Sequence, residues 1–245
     1  MNLVQKLPIG LSLVCVMFVS SCSKEDIQTI QPQTGSIITS SNLKEQGGVL
    51  SGLLDFPATN GQPGINTFPP DWARLVIKLP DNSKAFPTGT STLTHLWGKE
   101  LVPWVKPLPK ILGVRDMFSI VTVATNHHLT SNISNDYSRV KTKIKQLKKG
   151  KEYAITFYVA STIRNVPGFV PAYAERAVLQ IGYANSVMHY YINMAGKEAQ
   201  WIANTITFEA HDTEAIFTFS ADTAQPGQYS YAHIFVDKDS IKELN

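Results

Sequence analysis

Arg139-Val140-Lys141-Thr142-Lys143-Ile144-Lys145-Gln146 and, after Leu147-Lys148-Lys149-Gly150-Lys151, Glu152-Tyr153-Ala154-Ile155-Thr156-Phe157-Tyr158-Val159 form the stretch on which the fold turns. In the first segment Val140, Thr142, Ile144 and Gln146 alternate with Arg139, Lys141, Lys143 and Lys145. Successive side chains of a strand point to opposite faces, so this period of two predicts a strand with one buried and one wet face. In the second segment Tyr153, Ile155, Phe157 and Val159 form the apolar face, with Glu152, Thr156 and Tyr158 opposite. The short polar link through Lys148-Lys149-Gly150 makes the two segments a candidate antiparallel hairpin.

The same period continues on both sides. Towards the C-terminus Ala177, Leu179, Ile181 and Tyr183 alternate, as do Val187, His189 and Tyr191 against Met188, Tyr190 and Ile192. Residues 201–208 are rich in β-branched and aromatic side chains, and 215–220 set Phe217 and Phe219 on one face. Residues 229–237 put Tyr229, Tyr231, His233 and Phe235 opposite Ile234 and Val236. Glycine, proline and aspartate punctuate these runs, as turns require. Upstream, strands are expected at 117–124 and 75–79, the latter ended by Pro80. Between them lie Pro87, Pro103, Pro107 and Pro109 with Trp97 and Trp104, an insertion or a set of short irregular strands. Many short strands with regular turns and no helix of normal length predict an all-β fold, a sandwich or a barrel.

The N-terminus reads differently. A short basic start ending at Lys6 precedes an apolar run, residues 7–19, which is shorter than the roughly 20 residues of a membrane span. It has the layout of an export signal. Val19-Ser20-Ser21-Cys22 resembles the lipobox of bacterial lipoproteins, which implies cleavage before Cys22 and a lipid on that cysteine. The expected organisation is a signal peptide over 1–21, a lipidated polar tether over 22–48 and one sandwich domain over 49–245. Ser23-Lys24-Glu25-Asp26 resembles the acidic export tag of some outer-membrane lipoproteins, which implies an outward-facing location, with the periplasmic face as the alternative. Cleavage leaves 245 less 21, or 224 residues, and lowers the formal charge from +3 to +2 by removing Lys6. That balance argues against nucleic acid as a partner. With Cys15 in the signal and Cys22 lipidated, no cysteine pair remains, and neither CxxC nor HExxH occurs.

From residue 137 onward the landmarks resemble bacterial carbohydrate-binding modules of the galactose-binding-like jelly-roll type. They are Leu147-Lys148-Lys149-Gly150-Lys151-Glu152-Tyr153, Trp201, Phe208-Glu209-Ala210, Phe217-Thr218-Phe219 and Tyr231-Ala232-His233-Ile234-Phe235-Val236-Asp237, with Gly52-Leu53-Leu54-Asp55-Phe56 as a first strand. The resemblance implies a jelly-roll-like sandwich, a polysaccharide or glycan ligand and no catalysis. It also implies a structural calcium where the first and last strands meet, for which Asp55 and Asp237 are the best-placed acids.

A glycan site needs aromatic faces that stack on sugar rings and a few placed polar groups for hydroxyls. Trp97 and Trp104 in the proline-rich segment, and Arg164, Asn165, Phe169 and Tyr173 in one loop, meet that description. Their alternative is a core role, and Trp201 is assigned to the core. The strip Lys141, Lys143, Lys145, Lys148, Lys149 and Lys151 reads as a solvated strand face or a contact for an acidic polysaccharide or a lipid phosphate. Asp222-Thr223-Ala224 and Asp239-Ser240-Ile241 resemble a short O-glycosylation pattern. For an enzyme, no G-x-S-x-G appears, and nothing selects a pair from Asp55, Asp71, Asp116, Glu175 and Glu209. His127 and His128 would point to opposite faces of a strand. A protein partner bound through the sandwich is the second functional class.

Overall fold

A computed structural model of the chain describes residues 54–75, 87–99, 102–126, 138–165, 167–168, 170–223, 225 and 227–244. The signal, Cys22, the tether, His127, His128, Phe169 and most of the strand expected at 75–79 lie outside the described residues.

Thirteen strands occur among the described residues and no helix. In chain order they are β1 (Gly64–Ile65), β2 (Ala73–Arg74), β3 (Gly89–Thr92), β4 (Ser119–Asn126), β5 (Val140–Ile144), β6 (Glu152–Thr162) and β7 (Val170–Pro171). Then come β8 (Arg176–Tyr183), β9 (Ser186–Asn193), β10 (Ile202–Glu209), β11 (Ala215–Asp222), β12 (Gln228–Phe235) and β13 (Ile241–Glu243). They form two sheets. One has the order β1-β3-β4-β12-β6-β10, with β13 added beside β6 and β7 beside β12; the other has the order β2-β5-β11-β8-β9. All pairings are antiparallel except the short β7–β12 pair.

The strands at 140–144 and 152–162 form as their periodicity predicts, but they are not a hairpin. β5 pairs with β2 and β11, whereas β6 pairs with β10, β12 and β13 in the other sheet. The link between them is an arch from sheet to sheet. Leu147 N–H donates to the Thr213 carbonyl and Gly150 N–H to the Ala210 carbonyl, so the 210–213 turn holds the arch. The Lys148 N–H donates to the Tyr153 hydroxyl at 2.8 Å. Tyr153 and Leu147 are buried, so both strands aim their apolar faces into one core from opposite sides. From β4 onward the chain changes sheet repeatedly, as in a jelly roll. The tight hairpin is instead β8–β9, closed at Tyr183 paired with Ser186.

The core between the sheets contains Val140, Ile144, Tyr153, Ile155, Phe157, Leu179, Ile181, Phe217, Phe219 and Ile234. Phe56 and Trp72 seat their rings edge-on against Phe217 at 5.1 and 6.2 Å between centroids. A second apolar layer lies on the outer face of the eight-stranded sheet. There the proline-rich segment packs Leu93, Leu108, Ile111 and Met117 onto Ile120, Ala160 and Phe235, and Leu96, Trp97 and Trp104 onto Ala124, Tyr229 and Tyr231. The segment is tied down by Leu96 N–H to Val102 O, Leu108 N–H to Leu93 O and Val105 N–H to Ile163 O. The outward residues of β12 are therefore as buried as the inward ones.

Gly89, in β3, has φ +149, and a Cβ there would collide with the Gly64 carbonyl oxygen and crowd the Thr67 carbonyl and Asn66 nitrogen. Only glycine lets β1 lie this close to β3.

Candidate functional site

The proline-rich layer covers one outer face of the sandwich, and the outer face of the five-stranded sheet carries a mixed polar and aromatic surface. In β9, Met188, Tyr190 and Ile192 turn toward the core, which leaves Val187, His189, Tyr191 and Asn193 pointing outward. Strand register then fixes the neighbours. One cross-strand row reads Lys141, Thr218, Gln180, His189; the next reads Ser220, Val178, Tyr191; the last reads Asp222, Arg176, Asn193.

Tyr191 is 57% exposed, a large share for an aromatic ring on a sheet. The guanidinium carbon of Arg176 lies 4.8 Å from its ring centroid. The His189 ring lies alongside at 6.3 Å and 21°. Arg176 is fixed by Asp222, whose Oδ2 accepts from Nη2 at 2.6 Å and Nε at 3.1 Å. That bond holds the Arg176 pKa above its ordinary value, and Tyr191 and Glu175 add to it. Asp222 also lies in the electrostatic field of a second guanidinium, Arg139, whose own pKa is lowered chiefly by burial.

In the adjacent row the Thr218 hydroxyl donates to Gln180 Oε1 at 3.1 Å, and Gln180 Nε2 lies 3.3 Å from His189 Nδ1. Donation by the amide to Nδ1 leaves Nε2–H of His189 as the outward donor. His189 thus presents a donor beside an open ring, held in place through Gln180 and the buried Thr218.

Gly182 in β8 leaves a gap in this face between Ile216 and Val187. Beside it is a hollow of about 310 Å³ lined by residues that include Lys143, Gly182, Tyr183, Asp212, Glu214 and Ile216. A smaller hollow of about 90 Å³, which includes Asp71, Ala73 and Lys141, shares Lys143 and Ile216 with it. The larger hollow is bordered by Tyr183, stacked on His211 at 4.9 Å and 29°.

The residues singled out in sequence go elsewhere. Trp97 and Trp104 are 4% and 2% exposed, so neither offers the stacking platform expected of them. The physical reason is the second layer: Trp104 packs edge-on against Tyr231 at 5.2 Å and His233 at 4.8 Å, and its Nε1–H donates to the Thr92 carbonyl. Arg164 joins this group beside the Tyr231 hydroxyl, which itself accepts from the Tyr229 hydroxyl at 3.0 Å. Tyr173 does not join it. It is half-buried against the Leu93–Phe235 cluster, and burial, then Glu198, raises its pKa. Trp201 packs on the same cluster, outside the inter-sheet core, and donates from Nε1 to the Pro109 carbonyl at 2.8 Å.

The two acids suggested for calcium each have a partner within the protein. Asp55 lies 3.7 Å from the Lys145 ammonium, which also reaches Asp71 at 3.5 Å. Asp237 Oδ1 accepts from the Lys238 N–H inside its own turn. Among the described residues no three side chains of His, Cys, Asp and Glu converge to hold a metal.

The lysine strip also divides. Lys141, Lys143 and Lys145 lie on β5 or at its end, whereas Lys148, Lys149 and Lys151 belong to the arch. Thr223 is buried, and the Ser240 hydroxyl accepts from the Asp237 N–H at 2.8 Å.

What sequence reasoning missed was Tyr191, His189, Gln180, Arg176 and Thr218. The alternation in 187–192 was legible, but both of its faces carry an aromatic ring. Polar His189 and Asn193, set against Met188 and Ile192, were the available signal for the wet face.

No protein-family model and no curated protein matches the chain. Among solved structures, a family-61 carbohydrate-binding module in complex with β-1,4-galactotriose overlaps 52% of this chain and 71% of its own, at 10% identity and a TM-score of 0.33. A family-4 carbohydrate-binding module overlaps 66% and 90%, at 13% identity and 0.32. The enzymatically active domain of a tailspike protein of bacteriophage CBA120 overlaps 56% of this chain and 18% of its own, at 9% identity and 0.32.

Proposed function

We propose that this chain is a non-catalytic glycan-binding lipoprotein, anchored through lipid on Cys22 and facing outward from the outer membrane. The observation that carries the binding assignment is the open Tyr191 ring, flanked by Arg176 and His189 and bordered by the aligned Thr218–Gln180–His189 row. Aromatic surface takes the apolar side of a sugar ring, and the guanidinium, amide and imidazole take its hydroxyls. A non-catalytic role is supported by the carboxylates of this face: Asp222 is tied to Arg176 and Glu214 to Lys143. Neither is poised as a free acid or base.

Binding of this kind is weak per site, because each contact replaces one the sugar already makes with water. Tyr191→Ala is expected to lower retention by immobilised polysaccharide about tenfold, or roughly 1.4 kcal/mol, with the melting temperature nearly unchanged. Unchanged retention of a glycan that the parent binds would remove this face from consideration. The anchor is tested separately. Cys22→Ser should move the protein into the aqueous phase of a detergent partition, and firm membrane retention of that variant would end the lipoprotein reading.

A second reading, a protein partner, draws on the exposed apolar side chains of the proline-rich region. Leu112, Phe118, Val105 and Val102 are 98%, 70%, 55% and 46% exposed. They lie on other elements than the Tyr191 face, so loss of binding in Tyr191→Ala separates the two readings.

A further inference from the structure

Resting on the glycan reading, we infer that the sugar is acidic, a polymer bearing carboxylate or sulfate groups, and that Lys141 receives that charge. The argument starts from how the cations of this face are matched. Lys143 meets Glu214 at 2.8 Å, Arg176 meets Asp222 at 2.6 Å, and Lys145 at the strand end meets Asp55 and Asp71. Arg139 interacts with Asp222. Lys141 makes no ion pair to an acid among the described residues, although it lies within β5, opposite Thr218 of β11.

Its position in the register gives that charge a direction. Lys141 is opposite Thr218, Thr218 opposite Gln180, and Gln180 opposite His189. Three strand spacings of about 4.8 Å place the β5 and β9 ends of the row about 14 Å apart. An extended sugar chain laid across the strands meets the Tyr191–His189 rings at one end, the half-buried Gln180 amide over the buried Thr218 in the middle, and at the other an ammonium with no acid partner among the described residues. The small hollow at the Lys141 end, lined by Ala73, Ile216, Lys143 and Asp71, whose carboxylate is met by Lys145 at 3.5 Å, leaves room for a ring substituent. The ammonium is half-exposed, so its attraction is modest and screened by salt, and it discriminates between charged and neutral sugars more than it adds affinity.

The test uses the full chain in affinity electrophoresis through gels holding one of three polymers. They are a polygalacturonate, the same polymer with its carboxyls reduced to alcohols, and a sulfated galactan. Retention by the polyuronate or the sulfated polymer is expected, several-fold stronger than by the reduced polymer and weakened as salt rises from 50 to 500 mM. The polymer retained identifies carboxylate or sulfate as the charged group. Lys141→Gln should remove that preference and leave any weaker neutral binding, whereas Tyr191→Ala should lower retention by every polymer. Equal retention on the polyuronate and its reduced form, or an undiminished preference in Lys141→Gln, would overturn the acidic assignment and leave glycan binding standing. Retention by none of the three would overturn both.

Discussion

His233 shows how one buried residue sets a chemical limit on the fold. It is fully buried on the outward side of β12, with Nδ1 2.9 Å from the Thr122 hydroxyl and Nε2 2.7 Å from the Thr162 hydroxyl. Both ring nitrogens are satisfied by neutral partners, and Trp104 closes the site above. Burial pushes its pKa from 6.5 down to about 3, so the folded protein holds it neutral. The unfolded chain protonates it below about 6.5, where the folded state does not follow until about 3. Stability from this group is therefore complete above pH 6.5 and declines as pH falls toward 3, by about 1.4 kcal/mol per pH unit. Urea unfolding at pH 7, 5 and 4 should show this fall in the parent chain. His233→Gln should be less stable at pH 7 but have a shallower slope below 6.5; an unaltered slope would assign the acid sensitivity to other groups.

At the scale of elements, the proline-rich segment is a layer rather than a loop. Its prolines exclude it from regular strands because they lack the N–H a ladder needs. Its two indoles nevertheless bury their rings: Trp104 Nε1–H reaches Thr92 O, and Leu96 and Leu108 anchor the backbone on either side. Removal of a buried large aromatic costs about 3–5 kcal/mol. Trp104→Ala should lose about that much in a denaturant titration while polysaccharide retention, measured below its melting transition, stays at the parent level. A variant that keeps full stability but loses retention would restore the indole as a ligand platform. The arch between β5 and β6 makes the same point about connections. The seven-residue link 145–151 is short enough for a hairpin, but 210–213 captures its backbone and sends it to the opposite sheet.

Across the whole molecule, the division of labour follows from which faces are covered. The eight-stranded sheet is buried on both sides over much of β4, β6 and β12. On the outer face of the five-stranded sheet Thr218, Ser220 and Val178 are buried at the centre, whereas Arg176, His189, Tyr191 and Asn193 toward β9 stay exposed and are open to contact. Sequence periodicity identified nearly every strand from β4 to β12, because alternation of apolar and polar residues is a local property. It could not separate a half-wet strand from one buried twice. Residues 229–235 carry aromatic and small residues on both faces, and the segment that covers the outer one is more than a hundred positions away.

The amino-acid sequence by itself determined the all-β class, most strand positions, the inward set Tyr153, Ile155, Phe157, Phe217 and Phe219, and the expectation of an exported, lipid-anchored chain. Each follows from neighbours within a few residues. Tertiary structure alone decided that β5 and β6 part to different sheets, that Trp97 and Trp104 are core, and that Lys141, Thr218, Gln180 and His189 stand in one row. Those facts depend on register between strands 9 to 77 positions apart, where backbone hydrogen bonds are the same for every residue. What selects one register is the fit of buried side chains against distant partners, and no local pattern encodes it.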